Sequence, residues 1–170
     1  MESILVSACL LGEAVRYNGG DKRSDHDILQ RWLREGRVVS VCPEVAGGLA
    51  IPRPPAEIVN GAGGANVLAG AARVVASTAE DVTPAFIRGA EVAFDLAQAH
   101  RIRIAVLKEG SPSCGSSYTY DGTFTGTRAE HPGVTTARLQ QVGVHVFSEH
   151  QFAAADALLQ QLEATSDITG

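Results

Sequence analysis

The stretch "SDHDILQRWLREGRVVSV", residues 24–41, decides the fold class. Its first part places Ile28, Leu29, Trp32 and Leu33 on one face of a helix, with Ser24 or Asp25 as the cap and Gly36 as the stop. "RVVSV" at 37–41 then runs apolar and β-branched, the composition of a buried strand. The same alternation extends in both directions. "SILVSA" at 3–8 reads as a strand, and so do "IRIAVL" at 102–107 and "VHVFS" at 144–148. "TPAFIRGAEVAFDLAQAHR" repeats Phe86, Ala90, Ala93, Phe94 and Ala97 at helical spacing, with Thr83 as cap and Pro84 in the first turn. "GVTTARLQQVG" reads as a short helix. "EHQFAAADALLQQLEA" reads as a final one, with Ser148 and Gln151 placed as a capping box.

Strands alternating with helices imply a parallel sheet covered on both faces. The expected fold is therefore α/β, a single domain over residues 1–170, three-layered and Rossmann-like. "YTYDGTFTG" at 118–126 adds a small hairpin insertion on an Asp-Gly turn. "NGAGGAN" at 60–66 reads as a flexible turn and "AARVVAS" at 71–77 as a short strand beside it. Residues 53–81 form the least regular part of the chain, an insertion or a flap.

Composition bounds the function. With 45% hydrophobic and 19% charged residues, the chain is long enough and apolar enough to bury a core. The net charge of −5 argues against a grip on nucleic acid or on an anionic membrane, although Arg16, Lys22 and Arg23 lie close in sequence. The start, "MESILVSACLLGE", lacks a basic leader region and its apolar run is too short to span a membrane, so the expected location is the cytoplasm. An odd number of cysteines in a reducing compartment speaks against a disulfide framework. No P-loop, GxGxxG or GxSxG motif is present. The residues set no oligomeric state.

Cys9, Cys42 and Cys114 are too widely separated for a zinc ribbon or a ferredoxin motif, yet each follows a buried strand: "SILVSAC", "RVVSVC" and "RIAVLKEGSPSC". In an open α/β sheet, ligands bind outside the carboxyl ends of the strands. Three parallel strands thus deliver three thiols to one crevice. Soft thiolates with an open fourth position suit zinc, copper(I) or an iron–sulfur cluster. His26, His100, His131, His145 and His150 have no placement that makes any of them the fourth ligand. Glu44, two residues beyond Cys42, is a candidate base. Ser111 and Ser113 flank Cys114 as hydroxyl donors, and Arg16, Tyr17 and Asn18 of "RYNGG" are candidates to hold a planar polar ligand.

Read together, "SACLLG…RYNGG", "CPEVAGGLAIPRPPAEI" and "LKEGSPSCGSSYTYDGTFTG" resemble the 2-thiouracil desulfurase family, in order and from residue 3 to about 147. The resemblance implies a [4Fe–4S] cluster held by Cys9, Cys42 and Cys114, with one iron free of any protein ligand to take the sulfur of a small thiolated base. It implies Glu44 as the catalytic acid–base carboxylate and Ser113 as the catalytic serine. Where many members carry a further Cys in a "CRYDG" motif, this chain has "VRYNG". Val15 removes a spare thiol, and Asn18 replaces an acidic group, which bears on substrate preference. Two alternatives stand beside the desulfurase: a non-catalytic metal-binding or sulfur-carrying module built on the same thiols, and an enzyme acting on a thiolated nucleoside in tRNA.

Overall fold

The computed structural model describes residues 1–169, with side chains to Thr165. Its centre is a four-stranded, wholly parallel sheet in the order β2-β1-β5-β8. These strands are β1 (Ile4–Ser7), β2 (Val38–Val41), β5 (Ile104–Leu107) and β8 (His145–Ser148). The two inner strands, β1 and β5, are buried along their whole length, which is why they read as unbroken apolar runs. Alternate residues serve opposite faces. Ile4, Val6, Ile104 and Val106 pack against Leu29 and Trp32 of α1 (Asp27–Arg34) and Phe152, Ala155 and Leu159 of α6 (Phe152–Thr169). Leu5, Ala105 and Leu107 pack against Ala93 and Ala97 of α4 (Thr83–Ala99) and Leu139 of α5 (Val134–Gln140). The result is the expected three-layer α/β arrangement. Among the described residues no helix is long and apolar enough to cross a membrane.

Between β2 and α4 the chain makes a second layer of detail. Here lie α2 (Pro43–Ala46), β3 (Ala56–Ile58), α3 (Gly64–Leu68) and β4 (Val74–Ala76). β3 and β4 pair antiparallel and bury Ile58, Val74 and Ala76 against Phe86 and Ala90 of α4. The strand expected near 71–77 is thus β4. The segment expected to be a flexible turn at 60–66 instead begins α3 at Gly64, which leaves its glycines at a helix start that packs Val67 into this cluster. The hairpin of β6 (Thr119–Tyr120) and β7 (Arg128–Ala129) exists, but Asp121-Gly122 opens a longer loop closed by Asp121 N–H to Thr127 O at 3.0 Å.

Several caps differ from expectation. His26, not Ser24 or Asp25, caps α1: its Nδ1 accepts from the Ile28 amide at 3.2 Å, because Ser24 Oγ is taken by the His26 amide. Leu33 lies toward solvent, 42% exposed. Thr83 is the first helical residue of α4, and its hydroxyl accepts from Val74 N–H instead of closing its own helix. Before α6 half of the expected capping box forms: Ser148 N–H donates to Gln151 Oε1 at 2.9 Å, while Ser148 Oγ accepts from the His150 amide at 3.2 Å and not from Gln151.

One close approach positions the site directly. A Cβ on Gly47 would fall 2.0 Å from Ala85 O, and one on Gly89 would fall 2.0 Å from Pro43 O. The backbones of α2 and α4 touch at these two glycines, which seats α2, with Cys42 at its cap and Glu44 in its first turn, directly on a long buried helix.

Candidate active site

The carboxyl ends of β2, β1 and β5 open into a cavity of about 380 Å³. Cys9 enters it from the short 3-10 turn Ala8–Leu11 that follows β1, Cys42 from the cap of α2 after β2, and Cys114 from the loop after β5. All three are free thiols. Neighbouring strands supply them, so their separation in sequence becomes proximity in space.

The loop ends are tied to each other. Ser7 Oγ accepts from Lys108 N–H at 3.0 Å, joining the end of β1 to that of β5. Cys9 O accepts from the amides of Gly12 and Lys22, which folds residues 9–22 back over the turn. The Cys114 loop is organised by two side chains. Ser111 Oγ accepts from the amides of Ser113 and Cys114 and donates to Glu44 Oε2 at 3.3 Å. Glu109, buried, accepts from Ser116 Oγ and Ser116 N–H, each at 2.7 Å, and from the amides of Ser117 and Gly110. Burial opposes ionisation of Glu109, but the Ser116 hydroxyl and these amides outweigh it and hold the carboxyl below its ordinary range.

Electrostatics in the cavity are unfavourable to bare thiolates. Burial, and then the neighbouring Cys42, push the Cys9 thiol up to about 11. Burial raises Cys42, and burial followed by the Glu44 charge raises Cys114 further still. Three such sulfurs ionise together only beside a strong positive charge, which a bound metal group supplies. Among the described residues no three Cys, His, Asp or Glu groups are close enough to hold one metal ion. Three soft thiols brought by three chain segments to one cavity, with no fourth protein thiol among the described residues, are a donor set suited to an iron–sulfur cluster with one open position. The residues therefore fit a [4Fe–4S] group.

Glu44 is half-buried in the cavity beside Cys42, and the desolvation of its carboxyl raises it above its ordinary range, against the opposing pull of Arg53. Arg53 pairs with Glu44 Oε1 at 3.4 Å and donates to Val15 O and Ala50 O at 3.0 Å each. Arg16 and Tyr17 line the cavity, with the Arg16 guanidinium 5.6 Å from the centre of the Tyr17 ring. Asn18 does not line it: its Oδ1 accepts from Gly20 N–H at 2.9 Å and closes the turn. Ser113 does not line it either. Fully buried, its hydroxyl shares a 2.7 Å hydrogen bond with Thr135 Oγ1 of α5, and it works to lower the Cys114 thiol against the burial that raises it.

The structure adds residues that sequence reasoning missed, all on the cavity surface: Arg53, Glu57, Lys108, Glu109, Tyr118 and Tyr120. Only Glu109 left a signal, an acid set among the glycines and serines of "EGSPSCGSS" whose amides need an acceptor.

Comparison with known proteins agrees with this arrangement. Residues 4–151 match the family model for 2-thiouracil desulfurase. An uncharacterized protein of Bacillus subtilis (strain 168), YbbK, is 43% identical over 148 residues, covering 87% of this chain and 96% of YbbK. The solved structure of a [4Fe-4S]-dependent thiouracil desulfidase, TudS, shares 46% identity and superposes with a TM-score of 0.85, covering 95% of this chain and 99% of TudS. With this match spanning most of its length and the three-thiol cavity at its centre, the chain belongs to the 2-thiouracil desulfurase family.

Proposed function

We propose that the protein is a [4Fe–4S]-dependent desulfurase that replaces the sulfur of 2-thiouracil, or of a related thiolated pyrimidine, with oxygen from water, giving uracil and sulfide. The observation that carries this reading is the delivery of Cys9, Cys42 and Cys114 by three adjacent parallel strands to one cavity that also holds Glu44. Held by these thiolates, the cluster supplies an iron without a protein ligand, a soft Lewis acid for the substrate's sulfur.

The chain's own residues do the rest. Glu44, with its carboxyl raised by burial, is suited to take a proton from the attacking water and return it to the leaving sulfur. Ser111 and Arg53 fix the two oxygens of that carboxylate, so its orientation is set before substrate arrives. Arg16 and Lys108 on the cavity surface are donors for the carbonyl oxygen of the pyrimidine. Ser113 acts through Cys114, polarising its sulfur from behind, and is a positioning residue here. Asn18 shapes the turn beside the cavity. The reaction is non-redox and takes place on a small free base in the cytoplasm, where reducing conditions keep the three thiols available.

The test is anaerobic reconstitution followed by measurement of iron, acid-labile sulfide and the visible spectrum, with and without 2-thiouracil. About four irons per chain, a spectrum perturbed by the thiolated base, and stoichiometric sulfide and uracil are expected. Uptake of zinc in place of iron, or a loaded protein that releases no sulfide, would overturn the reading.

A further inference from the structure

We propose that Tyr118, backed by Arg128, is a specificity-determining residue: the platform on which the flat ring of the thiolated base stacks. This rests on the desulfurase reading and names what that reading leaves open, the group that recognises the ring once the sulfur is accounted for.

Tyr118 and Tyr120 both line the cavity, as residues two apart along an extended segment must when they share a face. Thr119 between them points the other way and is fully buried. The Tyr118 ring is fixed on three sides. The guanidinium of Arg128 lies 4.0 Å from its centre and covers one face of the ring, and Arg128 is not among the residues that line the cavity. Tyr120 meets Tyr118 edge to face, with centres 6.0 Å apart and planes at 84°. At the phenol end lies Gly110, where a Cβ would come within 3.2 Å of Tyr118 Cε2. Tyr118 itself lines the cavity, and the platform is the ring face opposite Arg128. A tyrosine so immobilised loses little conformational freedom when a second ring stacks on it. Stacking reads flatness and area, not the pattern of ring substituents. The ring class recognised is therefore the planar thiolated pyrimidine, with its exocyclic groups left to the charged residues.

The experiment uses cluster-loaded protein, wild type and the variants Tyr118→Ala, Tyr118→Phe and Arg128→Met. Three readouts are taken: iron per chain, kcat and KM for 2-thiouracil, and calorimetric titration with uracil, which carries the ring without the sulfur. Tyr118→Ala is expected to raise KM for 2-thiouracil and Kd for uracil together, by about 10-fold, with iron content unchanged and kcat within about 2-fold. Tyr118→Phe keeps the ring and stays near wild type; Arg128→Met falls between. An alanine variant that loses iron, or that loses kcat while KM and the uracil affinity hold, overturns the platform, as does wild-type protein that binds no uracil. Failure of wild type to release sulfide from 2-thiouracil sinks the desulfurase reading itself, and it is read before any variant is made.

Discussion

The floor of the cavity, at the carboxyl ends of β1, β2 and β5, differs from its wall, made by residues of β3 and β6, in what holds each in place. The floor strands lie in a four-stranded sheet buried between helices, and each cysteine leaves its strand within a few residues or in a loop pinned by Glu109 and Ser111. The wall strands lie in two-stranded sheets, joined where the Glu57 carboxylate accepts from Gly122 N–H at 3.0 Å and Phe124 N–H at 3.1 Å. A cofactor that bridges three chain segments needs the rigid set; a substrate that enters and leaves is better met by the set with fewer ties. The difference predicts separable failures. Floor changes act on iron content and kcat, whereas wall changes act on KM.

The largest expected effect is at the floor. Replacing Cys9, Cys42 or Cys114 by serine removes a soft ligand, and we expect iron content to fall and sulfide release to drop by at least ~100-fold. A Cys9→Ser protein with full iron and full activity would dissolve the distinction altogether. Next is Glu44→Gln, which keeps shape and hydrogen bonding but cannot carry a proton. Iron per chain should stay at the wild-type level while kcat falls by about 100- to 10,000-fold. A rise in KM alone would move Glu44 from proton transfer to substrate binding.

A smaller effect, and a sharper test of the comparison, comes from Glu109→Gln. The carboxylate gathers the loop that presents Cys114: Oε1 accepts from the Gly110, Ser116 and Ser117 amides and Oε2 from the Ser116 hydroxyl. Glutamine keeps one acceptor oxygen and loses the charge, so the Ser116 hydroxyl bond is lost or reversed and the three amide bonds weaken. Cluster retention against a chelator should weaken by about 10- to 100-fold, with KM for 2-thiouracil unchanged. A variant that holds iron like wild type would show that the ladder of β5 alone fixes the loop.

The same comparison explains what the sequence made legible. The floor announces itself where a strand is buried on both faces, because it must then be an apolar run, and "SILVSAC" shows that run with a thiol just beyond it; "RVVSVC" reads alike, yet β2 is an edge strand with Ser40 exposed and Val38 and Val39 half-buried. The three-layer fold follows from the same runs. The wall has no such grammar. Tyr120 and Glu57 sit in strands of two or three residues, too short to show alternation, Tyr118 lies just before one, and Arg53 sits among prolines that say only that regular structure stops. Asn18 and Ser113 show the opposite case. Each adjoins a motif residue in sequence, but one closes a turn on Gly20 and the other faces Thr135, because neighbours along a bent chain point in different directions.

The smallest effect on activity is expected far from both regions, at Asp156 on α6, and it serves as the control for them. Asp156 Oδ1 accepts from the indole N–H of fully buried Trp32 at 3.1 Å and from Arg31, while Oδ2 accepts from Gln160 at 2.9 Å. Burial works to raise this carboxyl, but the hydrogen bonds from Arg31 and Trp32 outweigh it and hold it below the ordinary aspartate range. A carboxylate lowered in the folded state adds stability that is complete above its unfolded value, near ~3.9, and is lost as pH falls below it. Asp156→Asn leaves an acceptor for Trp32 but no charge. It should lower the neutral-pH midpoint and flatten the acid limb of a thermal-unfolding profile below about pH 4 by the same amount, a small one, since Arg31 is partly exposed and its pair is screened. Asp156→Ala strands the indole N–H and should cost about 1–3 kcal/mol at every pH. Both proteins should load iron and turn over 2-thiouracil as wild type does. If either loses cluster at a temperature where it remains folded, the face of the sheet under α6 is coupled to the floor, and iron content no longer isolates the cysteine loops.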